Sequence, residues 1–248
     1  MTPKLVGIVC ALQSEARHLG SATRRSESLQ QLADGTLVCV SGMGSEAAAR
    51  GAQALVEAGA VALVSWGMAG GLDPSLIAGT LLLPSAIIDR SGQAIETSRP
   101  WRERLSATIA SRLTPVPAKL ATTAQAVASV AEKAALFRAT GAAAVDMESL
   151  AIAQVALSSH VPFLAVRVIV DTATDVLPAA IKKAADAEGH LALWRLLGAL
   201  AVAPADLPAL IRLARRYRSA ARSLAAVRDA LTRCAFPRLE PSSPAAMS

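Results

Sequence analysis

AVDMESLAIAQVALSSHVPFLAVRVIVD, from Ala144 to Asp171, carries both halves of the pattern that organises this chain. MESLAIAQVALSSH (147–160) reads as a helix, and FLAVRVIVD (163–171) as a strand apolar on both faces. A strand of that kind has no side to turn to water and belongs in a sheet covered by helices above and below. Upstream the pattern repeats. LVGIVCAL (5–12), TLVCVSG (36–42), AVALVSWG (60–67) and TLLLPSAII (80–88) read as further strands, and GSEAAARGAQALVEAG (44–59) as a further helix. Strand, helix, strand at this spacing predicts an α/β fold with a largely parallel sheet and helices on both faces. Ligands bind such sheets beyond the carboxyl ends of the strands, and Glu15, Ser41, Gly67 and Asp171 stand at predicted strand exits.

Charges are costly inside apolar runs, so those that interrupt them are the candidates for function. Asp146 and Glu148 sit at the start of the predicted helix, where its dipole favours acids. Arg167 and Asp171 lie four residues apart on one strand and hence on one face, as either a buried ion pair or working groups. Glu15 closes the first strand, as a helix-start acid or a site residue. Val40-Ser41-Gly42-Met43-Gly44 follows a strand and opens a helix, either as a tight turn or as a loop receiving an anion or hydroxyl on free N–H groups. It is not a dinucleotide fingerprint, since Ala47 stands where the third glycine belongs. Gly67-Met68-Ala69-Gly70-Gly71 is small enough for something flat or bulky to pack on its main chain, or is a packed strand-to-loop corner.

In this order the motifs resemble the purine nucleoside phosphorylase and uridine phosphorylase superfamily, in particular its methylthioadenosine/S-adenosylhomocysteine nucleosidases. SGMG is similar to their SGIG loop, GMAGGLDPSL to their GSAGG segment, AVDMESLAIAQVA to their AVEMEAAAIAQVA helix and RVIVDTATD to their RAISDxA strand, over about residues 5 to 200. The resemblance implies one α/β domain around a twisted mixed sheet, a homo-oligomer, and cleavage of a nucleoside without a cofactor. It implies that Asp171 is the general acid at purine N7, that Glu15 activates the attacking water with Arg167 holding it, and that Glu148 accepts hydrogen bonds from the ribose hydroxyls. Met147 then lies against the sugar, and Met43 and Gly70 line the pocket. Two positions depart from the pattern: Val170 replaces a serine beside the acid, and Met68 a small hydroxyl residue. Ser65 and Met68 stand where phosphorolytic relatives anchor phosphate, which favours water while leaving phosphate open as co-substrate. The apolar Met68, the RVIVDTA strand and the PADLPALIRLA tail resemble hopanoid-associated phosphorylase-like proteins. That implies adenosylhopane, an adenine nucleoside with a large apolar 5′ group, as substrate, and ribosylhopane or its 1-phosphate as product. The alternatives are a methylthioadenosine/S-adenosylhomocysteine nucleosidase and a non-catalytic nucleoside- or lipid-binding protein.

With 53% hydrophobic and 18% charged residues the chain affords a large core. The net charge of +6 divides into +1 over 1–203, the predicted catalytic domain, and +5 over 204–248. The body therefore gives no footing for nucleic acid. The tail is a predicted basic amphipathic helix with a Pro/Ser-rich, frayed end. Leu210, Leu213, Tyr217, Ala220, Leu224, Val227 and Leu231 form its stripe, flanked by arginines. That stripe suits either an anionic membrane surface or packing on the domain or a partner subunit. Cys10, Cys39 and Cys234, and His18, His160 and His190, lack metal-ligand spacing. With a first strand in place of a secretion signal, they predict a reduced cytoplasmic protein without a metal.

Overall fold

The computed structural model describes residues 5–25, 29–176 and 207–233. β1 (Leu5–Cys10) runs into a short helix α1 (Gln13–Ala16) and a 3₁₀ turn, Arg17–Leu19. β2 (Ala22–Arg25), β3 (Leu29–Leu32) and β4 (Leu37–Val40) lead to α2 (Ser45–Glu57) and the long strand β5 (Ala60–Gly71). Then follow β6 (Leu81–Leu82), β7 (Ala86–Ile88), β8 (Ala94–Glu96), α3 (Arg99–Ile109), β9 (Leu120–Thr122) and α4 (Val130–Thr140). β10 (Ala144–Asp146), α5 (Ser149–Ser158), β11 (Phe163–Asp171) and α6 (Leu207–Arg233) complete the described elements.

The strands form one mixed sheet of eleven, the α/β architecture that the sequence predicts. β5 is its axis, because its residues alternate between two cores. Ala62, Val64 and Trp66 face a cluster with Trp101 and Leu105 of α3 and Leu224 and Val227 of α6. Leu63 and Ala69 face one with Ala48, Ala52 and Leu55 of α2 and Ile152, Ala153 and Ala156 of α5. Both faces are thus covered, which is why the strands carry so few polar side chains. Of the two readings of the tail stripe, packing on the domain describes it from Ala220 onward, since Ala220, Leu224 and Val227 are buried and Leu231 half-buried against the first core. Ser223 also donates its hydroxyl to the Gly79 carbonyl at 2.8 Å. Arg215, Arg218 and Arg222 remain exposed. No described helix is long and apolar enough to cross a membrane.

Several boundaries differ from the sequence reading. The 80–88 run divides into β6 and β7 around Leu83-Pro84-Ser85, where proline has no N–H to give a ladder. β5 continues past Gly67 to Gly71, so Gly67 lies within a strand. Ala144–Asp146 is a strand, and the helix after it starts at Ser149 with Glu148 as its N-cap. The domain boundary at 204, the frayed end at 237–248, Cys234 and His190 lie outside the described residues.

Candidate active site

The site exists because two strands share one edge of β5 and part from each other. β1 pairs with β5 in parallel as far as Cys10 opposite Trp66. β10 joins the same edge in antiparallel only at Gly70 and Gly71, while β11 holds the opposite edge from Leu63 to Gly70. Between Trp66 and Gly70 one edge of β5 is left without a neighbouring strand. A cleft opens there with about 700 Å³ of space between its walls, the open mouth included. Every substrate-binding candidate from the sequence lines it, namely Met43, Met68, Gly70, Met147, Glu148 and Val170, as do Glu15 and Asp171. Arg167 is absent from the lining.

Glu15 fills the vacant strand edge with its own carboxylate. Oε1 accepts the Met68 N–H at 2.9 Å and Oε2 the Leu12 N–H at 3.1 Å. This approach requires glycine at 67, because a Cβ there would stand 2.5 Å from Oε1 and 2.8 Å from Cδ. Glu148 reaches the opposite wall, and its Oε1 accepts the Gly44 N–H at 2.9 Å. Gly44 holds φ at +94°, a left-handed value open to glycine, and thereby turns that N–H toward the carboxylate as α2 begins. The SGMG loop thus serves a side chain of the protein across the cleft.

Arg167 is 3% exposed and lies beneath this floor. Its Nε donates to Asp146 Oδ2 at 2.9 Å, and its Nη2 to the hydroxyls of Ser65 and Ser149 at 2.7 and 3.1 Å. Asp146 also accepts the Thr122 hydroxyl at 2.7 Å and the Ser149 N–H at 3.2 Å. The sequence alternative of a buried ion pair between Arg167 and Asp171 is corrected here. Arg167 has Asp146 as its partner, and only its charge acts on Glu15. Asp146 braces the turn from β10 into α5, leaving Glu148 to face the cleft.

Asp171 parts from Arg167 because β11 bulges. Ile169 is opposite Ala69 and Asp171 opposite Gly70, so Val170 is the extra residue and the strict alternation that put Arg167 and Asp171 on one face is broken. Bulges commonly re-aim side chains beside active sites. Asp171 instead meets Lys133 of α4, whose ammonium donates to Oδ2 and to the carbonyls of Thr172 and Asp175 at 2.7 and 3.1 Å. Asp175 in turn accepts the Thr172 N–H at 2.8 Å and pairs with Arg216 of α6. The sequence reading missed Lys133, Ser149 and Thr122, and it named Ser65 as a phosphate position where the structure has it accept from Arg167. The capping box Ser129-Val130-Ala131-Glu132 is a legible start for α4. Nothing local, however, marks the lysine after it as buried.

The carboxyl groups facing the cleft are pushed toward neutrality. Burial raises Glu15 above its ordinary range, and the Arg167 charge and the Met68 and Leu12 N–H groups oppose that rise. Burial, then the adjacent Asp146 carboxylate, brings Glu148 up to about 7. Burial also raises Asp171, and the Lys133 ammonium works against it. A carboxyl whose protonated form is favoured by burial is better suited to giving and taking a proton than a solvated one, which stays ionised. The arrangement suits acid–base chemistry on a polar ligand flanked by apolar walls.

A model of the phosphorylase superfamily matches residues 6–194. Among solved structures, the chain is similar to the 5′-methylthioadenosine/S-adenosylhomocysteine nucleosidase of Neisseria meningitidis in complex with methylthio-immucillin-A. Identity is 19% with a TM-score of 0.68, over 94% of this chain and 100% of that one. It is also similar to the native futalosine hydrolase of Helicobacter pylori, with 17% identity and a TM-score of 0.66 over 91% and 97% of the two chains. A third similar structure is the Helicobacter pylori 5′-methylthioadenosine/S-adenosyl homocysteine nucleosidase, at 21% identity and a TM-score of 0.62 over 69% and 87%. At these identities the likeness shows the fold. No curated protein matches the chain.

Proposed function

We propose, given that the chain belongs to the phosphorylase superfamily, that it cleaves the N-glycosidic bond of a 5′-substituted adenine nucleoside. The observation that carries this reading is the convergence of Glu15, Glu148 and Asp171 on one cleft whose other walls are mostly apolar. Asp171 gives a proton to purine N7, so the electron pair of the breaking C1′–N9 bond passes into a base that leaves neutral. Glu148 accepts hydrogen bonds from the ribose diol, and its charge favours the oxocarbenium-like transition state. Glu15 takes a proton from the water that attacks C1′. Water is favoured over phosphate because the described cleft lining holds no Arg, Lys or His to receive a phosphate dianion.

The substrate in this reading is adenosylhopane, and the sugar product is ribosylhopane. Met68 and Val170, apolar where nucleosidases carry hydroxyls, support it together with Leu12, Met43 and Val127 on the walls. The enzyme works as a cytoplasmic homo-oligomer, and the exposed Arg215, Arg218 and Arg222 of α6 meet the anionic membrane that holds so apolar a nucleoside. The test is to incubate the purified protein with adenosylhopane and follow free adenine. Release at a rate independent of phosphate is expected. No release, with or without phosphate, overturns the hopanoid assignment, and a phosphate requirement replaces hydrolysis with phosphorolysis. Faster turnover of methylthioadenosine makes small thioethers the substrates. Tight binding of adenosine analogues without turnover of any nucleoside makes the protein a binder.

A further inference from the structure

The proposed chemistry gives Lys133 no task, although it touches the proposed general acid, and its surroundings are unusual. It is 0% exposed, on a helix whose sequence gives it no acidic neighbour except Glu132. A buried ammonium costs several kcal/mol unless it is paired and its hydrogen bonds are met. Here all three N–H bonds are spent, one on Asp171 Oδ2 and two on the Thr172 and Asp175 carbonyls. α4 is thereby tied to the end of β11 and the turn after it, 38 to 42 residues later in the chain. The other oxygen of Asp171, Oδ1, accepts no hydrogen bond among the described residues, and Asp171 lines the cleft.

We propose that Lys133 is a positioning residue for the general acid: it fixes the rotamer that leaves Oδ1 to the leaving base, and it stabilises the carboxylate that Asp171 becomes. The inference rests on the reading of Asp171 as the acid. When the proton passes from Oδ1 to N7, a negative charge appears on Asp171 in a site that burial has stripped of water. The ammonium at Oδ2 meets that charge and keeps its own proton throughout, so no further donor is needed. Three charged groups face Asp171: Lys133 from α4, Asp175 from its own exit turn and Arg216 from α6. Gly70 of β5, on the remaining side, brings none. Asp175 is occupied by Arg216 and Thr172, which leaves Lys133 as the cation in direct contact with the acid. Removing it makes Asp171 a weaker acid, protonated to higher pH but slower to give its proton up.

The test is Lys133→Met, similar in length and without charge, with adenine release followed from adenosylhopane and from methylthioadenosine across pH. A roughly ten- to hundred-fold fall in kcat is expected, as for loss of one charge-assisted hydrogen bond. KM should stay within about twofold, and the alkaline limb of kcat should move to higher pH. A limb that stays in place overturns the proposal, because a merely structural lysine does not set the acid's titration. A second arm covers a variant that fails to fold around a lone buried carboxyl. Lys133→Met combined with Asp171→Asn is neutral at both positions, and its residual rate should equal that of Asp171→Asn alone. A further tenfold loss in that background means that Lys133 acts elsewhere, which also overturns the proposal. Wild-type protein that releases adenine from neither nucleoside takes down the functional reading itself and this inference with it. An active wild type with an unshifted limb removes Lys133's role alone.

Discussion

Replacing Gly67 by alanine tests the proposed role of Glu15 as base with one methyl group. Gly67 lies in the middle of β5 and is not among the glycines with positive φ, so alanine meets no backbone strain there. The obstacle is Glu15, since the new Cβ would stand 2.5 Å from Oε1, 2.8 Å from Cδ and 3.0 Å from Oε2. Carbon–oxygen contacts settle at about 3.3 Å or more, so the carboxylate must retreat by about 0.8 Å. It cannot retreat and keep both backbone donors, because Met68 and Leu12 hold it at 2.9 and 3.1 Å from two directions. The Met68 bond breaks. Loss of a hydrogen bond to a buried charged group costs roughly 1.5–3 kcal/mol of stability. Misplacing a reacting group by about 1 Å costs on the order of 10²-fold in rate. Single-turnover release of adenine, set beside a melting curve, separates the two effects. The expected result is a folded variant, a few degrees less stable, with kcat reduced about 10²-fold. In a Glu15→Ala background, Gly67→Ala should lower the melting temperature no further, because the clash then has no partner. A Gly67→Ala enzyme with wild-type kcat would refute the assignment of Glu15 as base, since a displaced base cannot serve unchanged.

Asp171→Asn should bind adenosine analogues as the wild type does and lose about 10²- to 10⁴-fold in adenine release, the usual range for a general acid; full activity in this variant means that another group protonates the base. Glu148 titrates at about 7 in the folded chain against 4.5 when exposed. The native state therefore holds the extra proton between those values, and stability falls as pH rises through them. Glu148→Gln escapes that loss and should be more stable than wild type by roughly 3 kcal/mol at pH 8, with the gain gone near pH 4. Denaturant unfolding at both pH values measures it, and an equal difference at the two ends refutes the raised titration. Leu224→Ala opens a cavity where α6 meets the core of Trp66 and Trp101. It should cost about 2–5 kcal/mol in the same assay, and a neutral effect would place α6 away from that core.

The strand-and-helix alternation was legible because each run carries its own signal. FLAVRVIVD is apolar on both faces and β-branched, and it forms β11 with the predicted limits of Phe163 and Asp171. GSEAAARGAQALVEAG forms α2 with two residues trimmed from its C-terminal end and one from its N-terminal end. Short pieces gave no such signal. β9 and β10 are three residues each and exist through their pairing with each other and with neighbouring strands. A three-residue run shows no period, so AVD reads as easily for the lead into a helix as for a strand.

By itself, the sequence determined the α/β class, the four acids Glu15, Asp146, Glu148 and Asp171 in or beside apolar stretches, and the glycine-rich segments near them. Hydrophobic period and the cost of burying charge are properties of a residue and its nearest neighbours, and they survive without coordinates. Which charges meet was decided only by tertiary structure. The even spacing of Arg167 and Asp171 predicted one shared face, and a single bulge at Val170 separated them. Arg167 then found Asp146, 21 residues earlier, and Asp171 found Lys133, 38 residues earlier. The cleft itself has no sequence of its own. It is the space left where β1 stops following β5 at Trp66 and β10 joins only at Gly70. The register of three strands, set by hydrogen bonds between distant segments, fixes that opening and the partners of every charge around it.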